Sequence, residues 1–111
     1  MIEREARIVN PLGLHARPAA ELVKVANRFQ SAVELRKDDL TVNGKSIMGV
    51  MMLAAECGSS LTIVVDGEDA EQAMEALLAL VADGFHEMHL TAELREAELR
   101  DAEERENEGA G

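Results

Sequence analysis

Extended segments that are apolar on one side only restrict this chain more than any other feature. In residues 2–9, Ile2, Ala6 and Ile8 fall on one face and Glu3, Glu5 and Arg7 on the other. That is the period of a half-buried strand. Val33 and Leu35 alternate with Glu34 and Arg36, Asp38-Asp39 is a turn signal, and Leu40 and Val42 continue the pattern. Residues 32–43 therefore read as a hairpin, ended by Asn43-Gly44. Leu61 to Val65, apolar and rich in β-branched residues, is predicted as a central strand. Between these lie helical patterns. Ala19, Leu22, Val23, Ala26 and Phe29 share one face of a helix running to about Arg28. Ser46 is placed to cap a short helix over 47–54. Asp69 and Gln72 form a capping-box-like pair opening a third helix. Its stripe is Ala70, Ala73, Met74, Leu77, Leu78, Leu80 and Val81, and Gly84 is its expected end. The order is βαββαβα. One-sided strands require helices packed on their apolar face; the pattern leaves the strand order open.

The chain has 111 residues, enough for one small domain. Hydrophobic residues make up 47% but aromatic ones only 2%, so the core must be aliphatic. The net charge of −11 argues against a general attraction to nucleic acid or to anionic membranes. No apolar run has the length of a membrane span, and the N-terminus lacks a signal-peptide pattern. The single cysteine, Cys57, excludes an internal disulfide, fits a reducing compartment and is expected to be a small buried hydrophobe. A cytoplasmic protein is expected. Residues 93–111 carry eight acidic and three basic side chains. The folded domain is expected over 1–88. An acidic extension follows over 89–111, helical at first and then disordered. His86 and His89, with Glu87 and Glu93, lack HExxH spacing and are read as solvent-exposed; no metal or cofactor is implied.

The stretch Asn10-Pro11-Leu12-Gly13-Leu14-His15-Ala16-Arg17-Pro18-Ala19-Ala20 carries the chemistry. Asn10-Pro11 and Gly13 are loop signals, and Pro18 is tolerated in a first helical turn. His15 is thereby expected in a loop just before a helix N-terminus, where unpaired amides and the helix dipole stabilise an anion. Imidazole is a capable nucleophile near neutral pH. Backbone N–H groups around Ala16 and Arg17 and the Arg17 guanidinium would bind a phosphoryl group. Pro18 is expected to bias Arg17 away from helical dihedrals and hold it near the phosphate. As a good N-cap, Ser46 is expected to contribute about 1 kcal/mol to the helix it opens. The helix after it is apolar almost all round, through Ile47, Met48, Val50, Met51, Met52 and Leu53, which points to an exposed docking patch. Lys45 either neutralises Asp38 and Asp39 or attracts partners.

Residues Gly13 to Ala20 resemble the active-site signature of the HPr family, the histidine phosphocarriers of the bacterial phosphotransferase system. Asn43 to Ala55 resembles the family's regulatory serine segment, and the separation of the two stretches matches as well. The resemblance runs from about Ile2 to Glu87. It implies an α+β open-faced β-sandwich, a four-stranded antiparallel sheet with three helices on one face. It implies transient phosphorylation of His15 at Nδ1 by enzyme I, itself charged by phosphoenolpyruvate, and transfer to IIA-type proteins. Arg17, the Ala16 amide and Pro18 at the helix start would complete the site. It further implies phosphorylation of Ser46, beside Lys45, by an ATP-dependent HPr kinase/phosphorylase, and docking of partners on Ile47, Met48, Met51, Met52 and Ala20. Members typically stop near residue 88, so the extension departs from the pattern. A monomer with no enzymatic turnover of its own is expected. The rival readings are a regulatory module of the same fold, controlling transcription or nitrogen metabolism, and an enzyme with a phosphohistidine intermediate.

Overall fold

A computed structural model describes residues 1–86. The elements are β1 (Ile2–Arg7), α1 (Ala16–Ala26), β2 (Ala32–Lys37), β3 (Leu40–Asn43), α2 (Ile47–Met52), β4 (Ser60–Asp66) and α3 (Ala70–Ala82), with a short 3₁₀ turn at Gly84–His86. The expected element order is present. The extension expected over 89–111 lies outside the described residues. Among the described residues no helix is long and apolar enough to cross a membrane.

The four strands form one antiparallel sheet in the order β1-β4-β2-β3. The Leu61–Val65 run is thus central, flanked by β1 and β2. The alternation explains the layering. Ala6, Val33, Leu35, Val42, Leu61, Ile63 and Val65 point into a core shared with Leu22, Val23 and Ala26 of α1 and Ala73, Met74, Leu77 and Val81 of α3. Each fully buried Leu or Val of this set contributes about 1.5–3 kcal/mol. The opposite sheet face carries Glu3, Val64 and Glu34 side by side. Arg36 bridges Glu3 at 3.2 Å and Glu34 at 3.1 Å. Val64 is nevertheless buried, between flanking strands that carry those long polar side chains.

Several expectations are corrected. The short helix ends at Met52 rather than 54, because Ala54 turns into the left-handed region (φ 49°). The Asp69 carboxylate does not cap α3. It instead accepts the Gln30 and Ser31 amides, each at 2.9 Å, and the Ser31 hydroxyl. This ties the start of α3 to the entry of β2, and the Ser31 hydroxyl, followed by the Gln30 amide, holds the Asp69 carboxyl below the usual carboxylate range. Cys57 is exposed, not buried, because it sits in the turn before β4. Lys45 reaches neither Asp38 nor Asp39; its ammonium donates to the Phe29 carbonyl at 2.8 Å, beyond the C-terminal end of α1. Phe85, unremarked in the sequence pattern, is the largest fully buried side chain among the described residues and joins the core from beyond α3. His86 is exposed, as expected, and pairs with Asp83; His89 lies outside the described residues.

Candidate functional site

The site is built on the loop from Asn10 to His15. Asn10 and Gly13 close it internally. The Asn10 side-chain amide donates to the Gly13 carbonyl at 2.8 Å, and the Gly13 amide donates back to the Asn10 carbonyl at 3.1 Å. Asn10 is fully buried, so this loop signal is also an internal brace. Leu14 plugs the core, and its amide donates to the Ala55 carbonyl at 2.8 Å. Gly13 makes that approach feasible. Its φ is +67°, and a Cβ there would lie 2.4 Å from the Ala55 oxygen. No side chain fits so close to a carbonyl, and an L-residue disfavours that backbone.

His15 follows as the N-cap of α1, with extended backbone (φ −78°, ψ −171°) and no side-chain capping bond to the helix. Its carbonyl accepts the Ala19 amide at 3.0 Å, closing the first turn. The amides of Ala16 and Arg17 therefore head the helix with no intrahelical acceptor. The ring is half-buried, while Ala16 and Arg17 are exposed. Together the residues bring an imidazole, two amides without intrahelical acceptors, a guanidinium and the positive end of an eleven-residue helix to one place in the chain. One expectation fails. The helix begins at Ala16, so Arg17 has helical backbone, and Pro18 does not bias it away. Pro18 occupies the third helical position, where its missing N–H still lacks an intrahelical partner. Its ring is buried.

The second predicted stretch lies against this loop. Ser46 is the N-cap of α2, and its hydroxyl accepts the Gly49 amide at 3.1 Å. Of α2, only Val50 is buried, while Leu53 just beyond it also reaches the core. Ile47, Met48, Met51 and Met52 are exposed, and Ala20 of α1 is half-buried. α1 and α2 pack together. The bond from Leu14 to Ala55 brings the C-terminal end of α2 to the His15 loop. Ser46 caps the opposite end of this six-residue helix, which is about 9 Å long at 1.5 Å per residue. Lys45, although next to Ser46 in sequence, is turned to the Phe29 carbonyl. The sequence marks Asn10 as a loop residue and Ala55 as the end of the second stretch, but not their bracing of the site. Asn10 followed by Gly13 was the available signal for the first brace; nothing local marks the second. No cluster of metal-ligating side chains occurs among the described residues.

Comparison with known proteins follows the same boundaries. A family model described as the PTS HPr component phosphorylation site matches residues 2–83. The phosphocarrier protein HPr of Cupriavidus necator is 51% identical over 87 residues, covering 78% of this chain and 98% of that protein. Among solved structures, HPr-C-His from Thermoanaerobacter tengcongensis superposes with a TM-score of 0.75 at 42% identity, over 78% of this chain and 97% of the other. Crh of Bacillus subtilis, described as a swapped dimer, gives a TM-score of 0.62 at 45% identity, over 76% of this chain and 97% of its own.

Proposed function

The chain belongs to the HPr phosphocarrier family, and from that premise we propose that His15 accepts a phosphoryl group from phosphorylated enzyme I and passes it to IIA-type proteins. The observation that carries this reading is His15 as N-cap of α1, with the Ala16 and Arg17 amides heading the helix beside it. In the proposed step, Nδ1 of His15 attacks the phosphorus of the enzyme I phosphohistidine. An N–P bond forms as the donor's N–P bond breaks, and the donor ring leaves neutral after protonation. The amides of Ala16 and Arg17 and the exposed Arg17 guanidinium hold the phosphoryl oxygens. Transfer to the acceptor is the same step in reverse. The chain supplies no nucleotide or metal to this exchange; its work is to present one ring to two partners in turn.

Ile47, Met48, Met51, Met52 and Ala20 are the proposed docking surface, on α1 and on the helix whose C-terminal end the Leu14–Ala55 contact ties to the His15 loop. Flexible thioethers suit a surface that accepts several partners. Ser46 is the proposed regulatory site, phosphorylated by an HPr kinase/phosphorylase. A phosphate there adds roughly −1.5 to −2 of charge at the edge of the patch and keeps an acceptor at the cap. Set at the opposite end of α2 from the Ala55 contact, it would act on docking rather than on the ring. A monomer is the proposed working form, because one surface serves successive partners. Its proposed place is the cytoplasm, consistent with a single, exposed thiol.

The test is phosphopeptide mapping after reaction with enzyme I and phosphoenolpyruvate, in wild type and His15→Ala. Label should appear on the His15 peptide and vanish in the variant. Label that persists in His15→Ala overturns the assignment, and labelling by phosphoenolpyruvate without enzyme I favours a self-phosphorylating enzyme.

A further inference from the structure

The methionines divide sharply by exposure. Met48 is 76% exposed, Met52 65% and Met51 42%, whereas Met74 in the core is 4% exposed. Met48 and Met52 are four residues apart and so share one side of α2. A thioether is the softest nucleophile on α2, and its reaction with a peroxide requires contact with the oxidant. Met1 is also exposed, at 78%, but it sits at the start of β1, with its amino terminus 3.6 Å from Asp66. Its oxidation would leave α2 untouched. Met88 lies outside the described residues.

We infer that Met48 and Met52 form an oxidation site for peroxides, through which conversion to sulfoxides turns off docking on α2. This rests on the proposal that α2 is the docking surface. In the step, a sulfur lone pair attacks one oxygen of hydrogen peroxide. The S–O bond forms, the O–O bond breaks, two electrons pass from sulfur to the peroxide, and the departing hydroxide takes the proton of the new S–OH group and leaves as water. Each sulfoxide replaces an apolar, adaptable side chain with a polar one. The backbone of α2 has no reason to change, because its anchors are Val50, Leu53 and the Ser46 cap, none of which is oxidised. The change is reversible by sulfoxide reductases. That distinguishes it from irreversible damage.

The experiment treats the full chain with hydrogen peroxide, then with a thiol reductant to return mild oxidation at the exposed Cys57. Peptide mass mapping follows the order of sulfoxide formation, and kinetics follow transfer from phosphorylated enzyme I. Met48 and Met52 are expected to oxidise well before Met74. KM for enzyme I should then rise about tenfold, the equivalent of one lost apolar anchor, with kcat changed much less. Sulfoxide reductase should restore it, and in Met48→Leu/Met52→Leu the rise in KM on peroxide treatment, measured against the untreated variant's own KM, should be much smaller than in wild type. Oxidation of Met74 at the same rate, unchanged KM in the oxidised chain, or equal peroxide sensitivity of the double variant would each overturn the inference. An untreated chain that takes no phosphate from enzyme I would overturn the carrier reading itself, and the docking consequence with it. The order of sulfoxide formation is read independently of transfer.

Discussion

Gly13→Ala is the most informative single change, because two separate penalties meet there. Alanine in left-handed backbone costs about 1–2 kcal/mol. The new Cβ would also lie 2.4 Å from the Ala55 oxygen and 3.0 Å from the Glu56 Cα, both backbone atoms that cannot swing aside. The loop must lift, and the 2.8 Å bond from the Leu14 amide to the Ala55 carbonyl opens. An amide left unpaired beside a buried side chain costs a further 1–3 kcal/mol or so. The expected loss is about 2–5 kcal/mol; at an m-value of about 1.5 kcal/mol/M, the urea midpoint falls by roughly 1.3–3.3 M. Gly58→Ala provides the control. Gly58 also has a positive φ, +89°, but a Cβ there meets nothing within 4 Å. It should lose only the conformational share, about 1–2 kcal/mol. Phosphate acceptance at His15, measured in low denaturant where both variants are folded, should fall in Gly13→Ala and not in Gly58→Ala. A loss below about 0.5 kcal/mol at Gly13, well under the conformational cost alone, with normal acceptance, would refute the claim that the contact to Ala55 sets the loop.

Three further outcomes are expected. Ser46→Ala should lose about 1 kcal/mol through the missing cap to the Gly49 amide, while Ser46→Asp keeps a capping oxygen and stability but slows transfer from enzyme I; equal slowing in both would tie Ser46 to folding alone. Phe85→Ala should cost about 3–5 kcal/mol, measured by urea unfolding, since the ring is fully buried against the core; a change under 1 kcal/mol would mean that the segment after α3 does not hold the fold. Asp69→Asn should be less stable than wild type at neutral pH. Because the folded carboxyl titrates below its unfolded value, its contribution is fully present above that unfolded value and is lost as pH falls through the folded one. The stability gap between wild type and variant should therefore be flat near neutrality and close below about pH 4; a gap that widens in acid would contradict the contact to Ser31.

The local pattern carried most of the architecture. Period-two alternation placed Ala6, Val33, Leu35 and Val42 on the core side of their strands, and the β-branched run Leu61–Val65 proved central. Ser46 was legible as a cap because its acceptor serves an amide three residues away. The failures have a common cause. Asp69 and Lys45 were read by their neighbours in sequence, but each satisfies a backbone group from another element, 38 or 39 residues away for Asp69 and 16 for Lys45. Cys57 was read by residue type, and the turn it occupies exposes it. Arg17 was read from the proline after it, yet helix propagation from the His15 cap outweighs that bias.

By itself, then, the sequence determined which faces are apolar, where the chain turns, and that a histidine opens the first helix, since all three depend on side chains within a turn or two of one another. The tertiary structure alone decided what braces that histidine. Ala55 meets Leu14 in a fold where α2 packs on α1, and Gly13 matters because a carbonyl 42 residues away in sequence occupies the space a Cβ would need. Contacts between distant backbone atoms leave no trace in composition or periodicity, because any residue can supply the carbonyl.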